Sequence, residues 1–480
     1  MNAEMKIKSA TNITLDKIRV IYFIGIGGIG MSAIARYFNS RGVQVSGYDR
    51  TRSELTETLE KEGIHIHYTE DVPGIPKDAD LVVYTPAVPK DQKELVYYQA
   101  NGYAVVKRSD VLQKISAASF NICVAGTHGK TTITTMIAHI LTSSGYGCNA
   151  FLGGISVNYD TNFWSSKNNV CVIEADEYDR SFLKLSPDVA VISAMDPDHL
   201  EIYGDHAHMI DAFIDFGNKI RENGLLVSKH GLKRINEINA ETKLTYSLQN
   251  EAADAFAFNI EMDNGAYSFN VQVKGEIINE LKLNIGGMHN IENVVAAIAV
   301  AVSLKIDNEK IREAVAAFKG VKRRFEYIIP PVRKESGGFI QPVLIDDYAH
   351  HPEELKALLK SVKSLFPQRT ATIIFQPHLF SRTKDLASDF ANALDLADRV
   401  ILLPIYPARE LPMEGVSSKL IFDQVNKSDK HLLSKEEYLN WMKEHLKTLD
   451  KEFGEVFVMA GAGDIDNLIQ PTKQIIESRP

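Results

Sequence analysis

Residues 122–134 read ICVAGTHGKTTIT, and they place two glycines, a lysine and two threonines between a run of β-branched residues and a helix-forming stretch. The order strand, glycine turn, helix is that of a phosphate cradle. Gly126 and Gly129 let successive backbone N–H groups curl round an anion, and the helix N-terminus adds a favourable dipole. Lys130 can neutralise β- and γ-phosphates, and a hydroxyl from Thr131 or Thr132 can reach Mg²⁺. Thr127 and His128 complete the loop. The spacing is GxxGKT, shorter than the GxxxxGK[ST] of common phosphate loops. ATP or GTP is the expected ligand, and a plain glycine turn before an amphipathic helix is the alternative.

The same grammar occurs upstream. IRVIYFIGI at 18–26 is a strand-like run that opens into Gly27, Gly28, Ile29 and Gly30 and then a helix predicted over 29–41. Gly25, Gly27 and Gly30 fit GxGxxG, and Asp49 stands nineteen positions after Gly30, near the end of a second predicted strand. This is the pattern of a turn that holds a nucleotide diphosphate, with Asp49 beside a ribose hydroxyl. With a separate phosphate loop downstream, a UDP-sugar competes with NAD as its ligand.

Downstream, VCVIEAD at 170–176 and VAVISAM at 189–195 continue a sheet and end in acids and imidazoles, including Glu174, Glu177 and His199. Carboxylates at that edge suit Mg²⁺ and an imidazole suits a second divalent site. Short alternating pieces between about 222 and 285 predict an antiparallel side sheet. The unit after residue 325 begins with FIQPVLIDDYAHH, which carries Asp346, Asp347, Tyr348 and His350. ATIIFQPHL, RVILLPIY and GEVFVMAGAG add three more strand-like runs, with His378 and Arg382 at the end of the first of these.

The 480 residues exceed one ordinary core, at roughly 100 to 200 residues per domain. The prediction is an α/β protein of three domains. These are a Rossmann-like domain at 1–115, a central domain at 116–325 like a P-loop ATPase with a small antiparallel side sheet, and a Rossmann-like domain at 326–480. A net charge of −9 argues against broad nucleic-acid binding. The polar start and the lack of a run of ~20 apolar residues predict a cytoplasmic protein without a membrane span. Cys123, Cys148 and Cys171 lack zinc-site spacing and are expected as buried, reduced thiols.

The order of GIGGIGMSAIA, GTHGKTT, EADEYDRSFL, DPDHLEIYG, GMHNIENVVAA, KRRFE, DDYAHHPEE and FQPHLFSRTKDL resembles the Mur ligase family over nearly the whole chain. The resemblance implies an ATP- and Mg²⁺-dependent enzyme that joins L-alanine to the carboxylate of UDP-N-acetylmuramic acid through an acyl phosphate. It implies Lys130, Glu174 and His199 as catalytic residues, with Thr131, Glu174 and His199 as metal ligands. Asn290 and Asn293 would then meet adenine, Arg324 the phosphates and Asp346 or Asp347 the ATP ribose. Gly27 to Gly30 and Asp49 would hold the UDP part, and Tyr348, His350, His378 and Arg382 would surround alanine. Phe213 stands where many relatives carry a modified lysine, a lack that fits the alanine-adding branch, while Leu379 replaces an arginine of some relatives. The competing readings are a relative that recycles a tripeptide, a Rossmann oxidoreductase, and a nucleotide-hydrolysing regulatory protein. Oligomeric state stays open.

Overall fold

The computed structural model describes residues 14–197, 200–263, 265–332, 341–408, 410–449 and 454–478. The chain divides into two compact units. The first holds Met1–Phe256, Gln272–Glu276 and Asn293–Ala314, and the second holds Ala257–Val271, Ile277–Glu292 and Val315–Pro480.

The first unit opens with a five-stranded parallel sheet in the order His65–His67, Gln44–Tyr48, Val20–Ile24, Leu81–Tyr84, Val105–Lys107. Strand order reverses on either side of Val20–Ile24, which puts the glycine turn at the switch point where open α/β sheets bind ligands. A second sheet follows, with Phe120–Ala125 flanked in parallel by Val170–Glu174 and Val189–Ile192. Ile122, Cys123, Val124 and Ala125 are wholly buried, as a strand covered on both faces requires.

The stretch from 222 departs from the predicted side sheet. Leu225–Lys229 pairs parallel with Val189–Ile192, and Thr242–Ser247 pairs parallel with Leu225–Lys229, so both extend the main sheet. Leu225 to Ser228 are all buried, while Thr242–Ser247 alternates from Leu244 onward, as a strand nearer the sheet margin does. The antiparallel part begins only with Ala255–Asp263, Ala266–Val273 and Glu276–Leu283. Two-residue connections between sheet neighbours leave no room for a crossover.

The helix Ile29–Asn39 joins the two sheets of this unit. Tyr37 lies edge-on to Phe163 with centroids 6.0 Å apart and tilted against Phe151 at 5.7 Å. One apolar core runs from Ile21, Phe23 and Phe38 through Phe151 and Phe163 to Ile173 and Phe213. Asn162 fastens the same joint, donating to Ile29 O and Ser32 Oγ and accepting from buried Arg36.

The second unit contains a six-stranded sheet in the order Glu326–Ile329, Val343–Asp347, Glu455–Ala460, Thr370–Phe375, Arg399–Leu402, Lys430–Leu432. Only Glu326–Ile329 runs antiparallel. The three cysteines are buried and free, and burial pushes the Cys148 thiol up to about 12. Among the described residues no helix is long and apolar enough to cross a membrane.

Candidate active site

The phosphate loop is tightly packed against its neighbours. Gly126 has φ +136°, and a Cβ there would fall 2.2 Å from Ser193 Oγ and 2.8 Å from the Ala194 nitrogen. Gly129, at φ +81°, caps the helix Lys130–Ser143. Only glycine meets both demands without strain. Ser193 donates to His128 O, and the Asp196 amide donates to Thr127 Oγ1 at 3.1 Å. Lys130 Nζ folds back on its own loop, donating to Gly126 O at 2.7 Å and to Glu177 Oε1 at 2.6 Å.

The side-chain oxygens expected for the metal come together here. Thr131 Oγ1 donates to Glu174 Oε1 at 3.0 Å, while Glu174 Oε2 accepts the Gly153 amide at 2.9 Å. A Cβ on Gly153 would stand 2.3 Å from the Glu174 carboxylate, so a bare backbone is what seats this acid. A hydroxyl and a carboxylate are hard oxygen donors that fit Mg²⁺, an ion that keeps several waters and takes few protein ligands. His199, the expected ligand of a second ion, lies outside the described residues. Among the described residues no group of three or more His, Cys, Asp and Glu forms a closed metal cage.

At the upstream turn, Gly25 takes φ +85° and donates to Tyr48 O, and the Gly27 amide donates to Asp49 Oδ2 at 2.8 Å. Asp49 Oδ1 accepts from the Thr51 amide at 3.0 Å, so the acid braces the turn as well as standing near its ligand edge. A Cβ on Gly30 would be 2.3 Å from Arg108 Nη1. Arg108 thus lies over the start of the helix, a position where a cation is disfavoured unless an anion joins it. Its guanidinium is 3.5 Å from Asp176 Oδ2. A cleft of about 300 Å³ runs from Gly28, Ile29 and Gly30 past Arg108 to Gly153, Glu174 and Asp176. The upstream glycine turn and Glu174 therefore share one cleft in the first unit.

In the second unit, Tyr348, His350, His378 and Arg382 gather as expected. The rings of Tyr348 and His350 are 5.1 Å apart, those of His350 and His378 are 5.9 Å apart, and His378 stacks on Tyr406 at 5.7 Å. Arg382 Nη1 makes a long 3.5 Å contact with His350 O. Burial, with His350 and Arg382 nearby, lowers the His378 pKa and favours its neutral form. Leu379 sits at φ +72°, fixed by its amide on Tyr406 O at 3.0 Å.

The adjacent acids divide their work. Asp347 accepts the Phe325 amide at 2.7 Å and the Ala349 amide at 2.8 Å, and burial pushes its pKa up to about 6. Asp346 is buried with Oδ1 unpartnered, and burial, opposed by Arg323, pushes it up to about 7. Arg323 Nε stands 3.7 Å from Asp346 Oδ2, and the Arg323 guanidinium lies 5.1 Å from the Tyr348 ring centroid. Asn290 donates to Gly286 O at 2.6 Å within its own turn. Asn293, on the first unit's part of the helix Met288–Ser303, sets its carboxamide oxygen beside Gly129, 2.8 Å from where a Cβ would lie.

Arg108, Gly153 and Arg323 were not singled out as functional by their sequence, and Glu177 stood out only as one acid of a strand-end cluster suited to Mg²⁺, not as a partner of Lys130. Glu177 and Arg323 do fall inside the motifs EADEYDRSFL and KRRFE, whereas Arg108 and Gly153 are set apart only by packing.

Three family profiles match the chain: Mur ligase family, catalytic domain, over residues 20–120; Mur ligase middle domain over 124–301; and Mur ligase, glutamate ligase domain, over 323–463. The chain is 46% identical to a UDP-N-acetylmuramate–L-alanine ligase of Porphyromonas gingivalis, covering 95% of this chain and 99% of that one. This chain belongs to the Mur ligase family. A UDP-N-acetylmuramate–L-alanine ligase of Cytophaga hutchinsonii is 42% identical over 97% of this chain and 99% of its own. The crystal structure of the UDP-N-acetylmuramate–alanine ligase of Thermotoga maritima superimposes with TM-score 0.77 at 30% identity, covering 95% of this chain and 98% of that one. Membership of this ligase family sets aside the oxidoreductase reading of the upstream glycine turn.

Proposed function

We propose that this Mur ligase joins L-alanine to UDP-N-acetylmuramic acid at the expense of ATP, supplying a peptidoglycan precursor. The observation that carries this reading is the single cleft reaching from the diphosphate-type turn at Gly28–Gly30 to Glu174 and its Thr131 partner. A sugar nucleotide lying along it would bring its carboxylate toward the phosphate loop. Full-length likeness to alanine-adding relatives supports the choice of substrates.

A carboxylate is a poor electrophile because its charge is delocalised and its leaving group would be oxide. Transfer of the γ-phosphoryl group to a carboxylate oxygen releases ADP and gives an acyl phosphate. The amine of alanine then attacks the acyl carbon, loses a proton and expels inorganic phosphate. Lys130 and the loop N–H groups would offset the charge on the transferring phosphoryl group. Thr131 and Glu174 would hold Mg²⁺, which when bound screens the triphosphate. Asn290, Asn293, Arg324, Asp346 and Asp347 are the proposed nucleotide contacts, with His199 as a further metal ligand. Arg382 would pair with the carboxylate of alanine. Neutral His378 and the Tyr348 and His350 rings would frame its small side chain. The domain limits near 115 and 325 and a cytoplasmic location belong to the same proposal.

The test is phosphate release from MgATP with UDP-N-acetylmuramic acid, comparing L-alanine, the tripeptide and no acceptor. Release that needs alanine, with a product heavier by one alanyl residue, is expected. Release with tripeptide alone would reassign the chain to peptide recycling.

A further inference from the structure

Glu177 is a buried acid for which the ligase chemistry above has no use. Its side chain is 1% exposed, and Oε1 accepts from Lys130 Nζ at 2.6 Å. Its other oxygen, Oε2, is buried without a hydrogen-bond partner. Its backbone is held as well, since Tyr203 Oη donates to Glu177 O at 2.6 Å. Burial raises the acid's pKa and the Lys130 charge opposes that rise, so the ammonium is what makes the buried carboxylate tolerable. Lys130 is held in turn by Gly126 O and Glu177 together.

We infer that Glu177 is the positioning residue for Lys130, an inference that rests on the ligase reading. Paired, the two side chains carry no net charge, and the loop presents less positive potential to a triphosphate than a lone lysine would. The carboxylate fixes the root from which the ammonium reaches the phosphates, and the fixed distance governs how well it meets the charge that develops during phosphoryl transfer. Affinity for ATP is thereby given up for placement. The acid lies 47 positions from the lysine, three residues beyond the proposed metal ligand Glu174. One loop, 174–177, therefore controls both positive groups at the phosphate.

The test measures MgATP binding by calorimetry without acceptor, and kcat with alanine and UDP-N-acetylmuramic acid, for wild type, Glu177→Gln and Glu177→Asp. Glu177→Gln removes the charge and keeps the shape. It should tighten MgATP roughly threefold to tenfold, because the unpaired ammonium adds to the local potential. Its kcat should fall about tenfold to a hundredfold, because a neutral amide oxygen holds the ammonium less firmly than the carboxylate does. Glu177→Asp keeps the charge and withdraws it by one methylene, so kcat should fall while MgATP affinity stays within about twofold. A merely structural acid would weaken nucleotide binding and turnover together. Tightened binding with intact turnover, or lost turnover with weakened binding, overturns the inference for Glu177→Gln. If that variant does not fold, Glu177→Asp decides alone, and intact turnover or weakened binding in it overturns the inference. Wild type that releases no phosphate with any acceptor would instead overturn the ligase reading, and the binding comparison would still report on the pair.

Discussion

The Thr131 hydroxyl donates to Glu174 at 3.0 Å, from the first turn of one helix to the end of a neighbouring strand. That bond brings the two proposed Mg²⁺ ligands together across 43 positions of sequence. Glu174→Gln removes the charge and keeps the shape, its amide oxygen accepting the Gly153 N–H and its NH2 donating to the Thr131 hydroxyl. It is expected to lower kcat on the order of 10²- to 10³-fold and to raise the Mg²⁺ concentration needed for half-maximal rate. Binding of UDP-N-acetylmuramic acid, followed by calorimetry without ATP, should change little.

Gly30 tests the upstream turn. The atoms an added Cβ would strike belong to the end of the Arg108 side chain, which can swing away. Gly30→Ala should therefore fold and melt close to wild type. The displaced guanidinium should raise the KM for the sugar nucleotide roughly tenfold and leave the KM for ATP unchanged.

Glu94 gives stability a definite pH dependence. Burial alone would raise its pKa, but hydrogen bonds from His67, Tyr22 and the Asp71 amide outweigh that and hold it low. A folded pKa below the unfolded value means the contribution is present above about pH 4.3 and is lost as pH falls through the folded pKa. Glu94→Gln should cost about 1 to 3 kcal/mol at pH 7 in urea unfolding. The gap to wild type should close in acid.

Asp346 carries the opposite sign. Its folded pKa near 7 lies above the roughly 3.9 of an unfolded chain, so ionising it opposes folding. Its cost grows as pH rises from about 4 to 7 and is complete above that. Asp346→Asn should gain roughly 1 kcal/mol or more at pH 8 and nothing at pH 4. If the same acid meets the ATP ribose, the stabilised variant should bind ATP more weakly.

The two glycine turns were legible because each is contiguous. Backbone that must take φ +136° at Gly126 or φ +85° at Gly25 writes its demand into the residue at that position. The acid and imidazole clusters at strand ends were legible for a similar reason, since a buried strand points its last residues at the ligand edge. Pairings made by the fold left no such mark. Nothing local told Arg108 that it would lie over Gly30, or told Gly153 that Glu174 would rest against it. Asp49 was read as a ribose acid, and its hydrogen bonds to Gly27 and Thr51 show a second task that spacing alone could not reveal. The parallel extension at 225–247 was hidden because neither the buried run at Leu225–Lys229 nor the alternation at Thr242–Ser247 reports the direction of a strand.

The core shared by the helix Ile29–Asn39 and the central sheet, with Asn162 bonded across it, makes the first 256 residues hard to divide. Cutting the chain near residue 115 would strip Phe151, Phe163 and Asn162 from their partners, leaving each fragment with an oily, unsatisfied wound. Heat should melt the two sheets of this unit in one cooperative transition. The upstream glycine turn and the phosphate-type loop are thus joint tenants of one folding equilibrium, and damage done at either address is felt at the other.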